Sequence, residues 1–250
     1  MAAFDPWIWP VAAAPFIGSF LGVVAKRAES PRTIVIGRSV CPHCGVRLGV
    51  ADLVPVLSWV ASRGRCRQCR QPIGWFYPAI ELAAVIVAIW AALSTEGAVL
   101  WVSVGLGWTL LALAATDGEH YLLPDYLTLP LAAGGLAVTW VFDRPDFRDH
   151  VIGAAAGLFV IIGIHSLYKA LRGREGIGLG DAKLFAAAGA WVSWTGLPSV
   201  MLLAAVSGLA YALARNGFTT MPAGSERIPF GAFLCFGLWV VWLYGPVGIG

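Results

Sequence analysis

The chain alternates long apolar runs with short polar joints. Charge-poor runs fall at about Trp7–Val24, Tyr77–Leu93, Ala98–Thr116, Tyr126–Phe142, Val151–Tyr168, Ala182–Thr195, Leu197–Ala214 and Pro229–Val247. A helix rises 1.5 Å per residue, so runs of this length are matched to a hydrocarbon core of about 30 Å. The sixth run is short, and its ends are the least defined. Trp7, Trp75, Trp101, Trp140, Trp194 and Tyr244 lie near run ends, where amphipathic rings settle at the membrane interface. Small residues crowd the stretches Gly153–Gly157 and Ala186–Ala190, as close helix packing in lipid requires. The pattern predicts an all-α polytopic membrane protein of about eight transmembrane helices.

Composition points the same way. The chain is 58% hydrophobic and 12% charged, which excludes an ordinary soluble domain. Ala25-Lys26-Arg27 after the first run reads as a stop-transfer signal, so the first helix is expected to be retained rather than cleaved as a signal peptide. The charges matter through their placement. With the short N-terminus outside and the joints alternating, fifteen of the seventeen Lys and Arg residues share one side, leaving Arg144 and Arg148 on the other. The positive-inside rule assigns the rich side to the cytoplasm. Membrane lipid is the expected surrounding, and no nucleic acid partner is expected.

The one sizeable polar insert, residues 25–76, falls between the first two runs. It carries Cys41-Pro42-His43-Cys44 and Cys66-Arg67-Gln68-Cys69, separated by 21 residues. Two thiolate pairs at this spacing suit a tetrahedral structural zinc held by Cys41, Cys44, Cys66 and Cys69. Disulfides and a redox pair are the alternatives, and a reducing cytoplasm disfavours disulfides. His43 reads as a bystander, and Cys235, alone in an apolar run, as a small hydrophobe.

Two acids abut apolar runs and need a reason, because charge near hydrocarbon is expensive. Asp181 follows Gly178-Leu179-Gly180 and opens the sixth run, where a helix cap is the plain alternative. Asp117 closes the third run. The alternating topology puts both at the cytoplasmic face, 64 positions apart in sequence. Asp125, after Pro124, fits the start of the fourth helix. His120 reads as a loop histidine, with a proton shuttle as the second reading. Glu81 reads as snorkelling from the second helix to the interface. The joint Asn216–Ile228 is either a gate or a connector.

Taken together, these residues resemble the type IV prepilin leader peptidases, a family of membrane aspartic proteases. Gly18-Ser19-Phe20-Leu21 is similar to the family's opening signature, and the paired cysteines to its cytoplasmic zinc insert. Pro55-Val56-Leu57-Ser58-Trp59 and Arg63-Gly64-Arg65-Cys66 are similar to the segment between the pairs. Asp117 with Leu123-Pro124-Asp125 resembles the first catalytic motif. Gly178-Leu179-Gly180-Asp181-Ala182-Lys183 resembles the Gly-x-Gly-Asp motif of the second, and Ile228-Pro229-Phe230-Gly231 a motif before the last helix. The resemblance runs from about residue 16 to 235. Gly22, Gly118 and Ala25-Lys26-Arg27 depart from the family's usual residues.

The resemblance implies 1–24 as a first transmembrane helix, 25–76 as a cytoplasmic zinc-binding insert and 77–250 as a seven-helix membrane peptidase core. It implies Asp117 and Asp181 as catalytic, with prepilins or pseudopilins as substrates at the cytoplasmic face of the bacterial inner membrane. Methylation of the new N-terminus with S-adenosylmethionine also follows from resemblance alone; no dinucleotide-type glycine fingerprint marks a site for the donor. A transporter using intramembrane acids is the rival reading. It predicts acids near the bilayer midplane, often in paired repeats.

Overall fold

The computed structural model describes residues 6–30, 32, 34, 37, 39–41, 43–173, 178–215 and 228–248. Residues 216–227, most of the joint read above as a gate or connector, lie outside them. The described residues form α1 (Ile8–Lys26), α2 (Leu57–Ala61), α3 (Phe76–Ser94), α4 (Gly97–His120), α5 (Asp125–Phe142), α6 (Phe147–Arg172), α7 (Leu179–Arg215) and α8 (Phe230–Tyr244). No strand occurs among them, only isolated bridges. Among the described residues, six helices are long and apolar enough to cross a membrane, and α8 is a shorter apolar helix. The chain divides into two compact units, residues 1–115 and 116–250.

In the first unit, α1 and α3 pack through small residues. A Cβ on Gly18 would lie 2.6 Å from the Cα of Glu81, so only glycine allows this approach. Ala14, Ala84 and Ala88 are fully buried, with Val11, Val85, Trp108 and Leu111 against them. The Trp108 indole donates to the Ala84 carbonyl at 3.1 Å, satisfying a polar atom amid apolar contacts. Glu81 corrects the expectation of snorkelling. It is only 6% exposed, and its Oε2 accepts the Val56 amide hydrogen at 2.7 Å. A backbone donor in the insert holds the carboxylate inward. Val56 itself is held at φ +57, a region that costs a β-branched residue about 1–3 kcal/mol.

In the second unit, α7 is the organiser. At 37 residues a straight helix would reach about 55 Å, nearly twice the hydrocarbon core. It breaks instead at Val192 (φ −118°, ψ 16°) and Ser193 (φ 58°, ψ −179°). The Ser193 hydroxyl lies 2.7 Å from Thr195 Oγ1 and accepts the Thr195 amide hydrogen at 3.3 Å. This break separates the sixth and seventh apolar runs.

The contacts give each limb its direction. Gly157 of α6 meets the Phe185 carbonyl, and Gly153 meets Gly189 and Trp194, so α6 runs antiparallel to the first limb. Gly208 meets Phe233, Gly237 meets the Val200 carbonyl and Gly196 meets Val241; α8 runs antiparallel to the second. Leu123 touches both Gly180, at the start of α7, and Gly231, at the start of α8. Both starts therefore lie at one end of the unit, and α7 reverses at its break. On α5, Gly135 leaves room for Trp191, whose indole donates to the Leu131 carbonyl at 2.8 Å.

Candidate functional site

The last turn of α4 belongs to the second unit, and Asp117 sits in it. The helix continues past the apolar run through His120 and then turns at Tyr121 (φ +53), whose amide hydrogen bonds the Asp117 carbonyl at 2.8 Å. Asp117 is 5% exposed. Its Oδ2 accepts the Ala232 amide hydrogen at 3.0 Å. Ala232 is the third residue of α8, after Pro229 at the cap position, so this carboxylate occupies a helix N-terminus on another element. Free amide hydrogens and the helix dipole favour an anion there.

Asp181 stands in the matching place on α7. It is the third helical residue, and its Oδ2 reaches back to the Gly178 amide hydrogen at 3.2 Å. This is the acid half of a capping box. The plain cap reading therefore holds as geometry, yet Asp181 is 9% exposed, far more buried than a surface cap. Leu123 joins the two acids: it packs on Gly180, one residue before Asp181, and on Gly231, which a Cβ would bring to 3.0 Å from Asp117 Oδ2. Asp117 and Asp181 feel each other's charge through the protein, and Cys235, on α8, is 2% exposed. Both acids sit at helix ends, at one end of the second unit.

Asp125 is the first residue of α5, as expected, and also pairs with Lys183 at 2.5 Å on an exposed flank. Sequence reasoning missed this pair, the Ala232 amide and the role of Leu123. Pro229-Phe230-Gly231 was the available signal for the amide, since proline before a helix marks a free N-terminus.

The insert, in the first unit, holds the four thiols together. The Sγ atoms of Cys41, Cys44, Cys66 and Cys69 all lie within 4.8 Å of one another, and those of Cys41 and Cys69 are 3.8 Å apart. A tetrahedron with Zn–S bonds of about 2.3 Å needs sulfurs about 3.8 Å apart, so the donor set fits zinc. Disulfide sulfurs would stand at about 2.05 Å, and all four cysteines are free.

The two cysteine turns repeat one design. Cys41 donates its amide hydrogen to Val46 and accepts from Gly45; Cys66 donates to Gln71 and accepts from Arg70. Bridges Val40–Arg47 and Arg65–Pro72 close them. The residue after each second cysteine has positive φ, Gly45 at +69 and Arg70 at +60. The amides of Cys44 and His43 hold the Cys41 thiol down at about 6. At Cys69 the Gln71 backbone lowers the value, but burial and the other thiols outweigh it and push it up to about 11.

Fold and site together define a multi-pass membrane protein with two buried aspartates at facing helix ends and a four-thiol insert. Residues 13–95 match the family model for the bacterial peptidase A24 N-terminal domain, and residues 104–213 that for the type IV leader peptidase family. A Burkholderia pseudomallei protein named prepilin leader peptidase/N-methyltransferase is 48% identical over 206 residues, covering 82% of this chain and 66% of the relative. Proteins of the same name are 39% identical in Aeromonas hydrophila, over 87% of this chain and 75% of the relative, and 35% identical in Dickeya chrysanthemi, over 92% and 78%. No solved structure matches the chain. The chain belongs to the type IV leader peptidase family, as the sequence motifs implied. The matched stretch spans just under two thirds of the Burkholderia relatives' own length.

Proposed function

We propose that the chain is a membrane aspartic endopeptidase that removes the leader of prepilins or pseudopilins, with Asp117 and Asp181 as its catalytic pair. The observation that carries this is the convergence of two buried carboxylates, each on a helix N-terminus, around Leu123. Two neighbouring carboxylates hold one proton between them at lower cost than two full charges. The ionised member takes a proton from water, which attacks the scissile carbonyl. The other donates its proton to the developing oxyanion and then to the leaving amine. The distribution of Lys and Arg supports a cytoplasmic-facing site in the bacterial inner membrane.

The names of the relatives support a second activity, N-methylation of the new N-terminus with S-adenosylmethionine. The four cysteines support a structural zinc that ties the insert together. Asp117→Asn and Asp181→Asn keep size and hydrogen bonding while removing proton exchange. Each abolishes leader cleavage in a purified assay with a prepilin, and the double variant is no worse than either, because paired groups fail as a unit. Substantial cleavage by either single variant overturns the pair.

A further inference from the structure

A cavity of about 180 Å³ lies wholly within the first unit, between α1, α3 and the cysteine turns. The peptidase chemistry uses none of it. Glu81 and Asp52 supply its acids, Arg27, Arg65 and Arg67 its bases, with Arg67 paired to Asp52 at 3.1 Å, and Trp59 and Tyr77 its aromatic faces; Cys41 and Cys66 also line it, so the metal site forms part of its rim. Glu81 is the informative wall. Its two carboxylate oxygens have room for about four hydrogen-bond donors. Among the described residues it receives one, from Val56, and no ion pair. A carboxylate this buried is costly unless its remaining positions are filled.

We propose that this cavity is the site of the methyl donor, an S-adenosyl sulfonium compound, with Glu81 receiving hydrogen bonds from the donor. The proposal rests on the methylation reading above. Such a donor combines ammonium and ribose hydroxyl donors, a carboxylate, a sulfonium cation and a flat purine. The wall answers each in kind. Glu81 accepts from ammonium and hydroxyl groups; Arg67, which is paired with Asp52 at 3.1 Å, and the wall's other arginines, Arg27 and Arg65, bring guanidinium hydrogens for a carboxylate; Trp59 and Tyr77 suit a cation and a purine face. The donor supplies a methyl group: its C–S bond breaks as the N–C bond forms on the amine, the thioether leaves, and the amine loses a proton to solvent.

The test uses the full chain, zinc-loaded and in lipid nanodiscs. S-adenosylhomocysteine binding is measured by calorimetry, and radiolabelled S-adenosylmethionine is crosslinked by ultraviolet light and mapped. The label is expected on peptides within residues 19–81. Glu81→Gln keeps an acceptor for the Val56 amide but removes the charge, and Ser58→Trp fills the cavity from its wall. Each, with its zinc retained, weakens binding at least about tenfold, as losing one charged hydrogen bond implies. Label confined to residues 116–250, or undiminished binding by both zinc-loaded variants, overturns the site while leaving methylation intact. If either variant loses zinc, the wild-type crosslink decides alone. A wild-type protein that cleaves leaders but neither binds the probe nor methylates the cleaved peptide overturns the methylation reading itself.

Discussion

Gly231→Ala adds one methyl group at the point where α8 meets Asp117. The new Cβ would lie 2.8 Å from Leu123 Cδ1, 3.0 Å from Asp117 Oδ2 and 3.1 Å from Asp117 Cγ. The leucine tip can rotate away. The carboxylate moves only by leaving the Ala232 amide hydrogen, now at 3.0 Å. Net, a hydrogen bond to a charged group contributes about 1.5–3 kcal/mol, and moving a reacting group by about 1 Å costs about a hundredfold in rate. Leader cleavage by Gly231→Ala is therefore expected to fall about 30- to 100-fold in kcat/KM. Its stability drops by no more than the about 1–3 kcal/mol typical of a single overpacked methyl. Two other glycines serve as controls. Gly163, on α6, has open space around it, and Gly163→Ala keeps both activity and fold. Gly189 presses on the Gly153 carbonyl backbone, so Gly189→Ala lowers the yield of folded protein instead of the rate of the folded fraction. Wild-type kcat/KM for Gly231→Ala would refute the idea that cleavage depends on Asp117 seated at the start of α8.

The zinc site gives a pH prediction. With Cys41 at about 6 and Cys69 at about 11, metal-free protein at pH 7 presents Cys41 as thiolate and Cys69 as thiol, so zinc uptake releases the Cys69 proton, and affinity falls with pH below about 11 and more steeply below about 6; calorimetry in two buffers reads the release, and its absence at pH 7 sinks the assignment. Arg70→Gly relieves a left-handed backbone that costs about 1–2 kcal/mol, less the entropy glycine loses on folding. Zinc retention against a chelator should rise modestly, and lower retention would show that the Arg70 side chain, not its backbone, matters there. Asp125→Asn breaks an exposed pair with Lys183, 57% and 40% accessible, worth at most about 1 kcal/mol. Cleavage should fall less than about tenfold, and abolition would place Asp125 in the chemistry.

Hydropathy reads the surroundings of a side chain, not the course of the backbone, and the differences between sequence and structure follow from that. The third apolar run stops at Thr116, yet α4 continues through Asp117 to His120, because polar residues are still helical when they face protein or an interface. Hydropathy puts the gap between the sixth and seventh runs at Gly196. The backbone breaks three residues earlier at Val192–Ser193, where neither residue is a usual helix breaker and only the hydroxyl bonds to Thr195 give a local reason. Glycine-rich stretches foretold close packing correctly at Gly153, Gly157 and Gly189. They did not say which glycine meets which backbone, since that depends on partners far away in sequence. The inward setting of Glu81 is not legible locally for the same reason: its donor, the Val56 amide, lies 25 residues away in the insert. The cysteine turns were the most legible feature, because their geometry is local and repeats at one spacing.

The reversal in α7 explains why two acids 64 positions apart need no long-range accident to meet. A helix crossing once would carry its C-terminal end, and the start of α8 beyond it, to the far end of the unit. Breaking at Val192–Ser193 returns the second limb to the end where Asp181 began. Gly208, Gly237 and Gly196 then lock α8 antiparallel along that limb, which fixes the free amides of its first turn beside Asp117. Each carboxylate thus faces a positive helix end made by the same fold-back, one within α7 itself and one on the helix that α7 positions. The chemistry proposed here depends on that backbone turn as much as on the two aspartates.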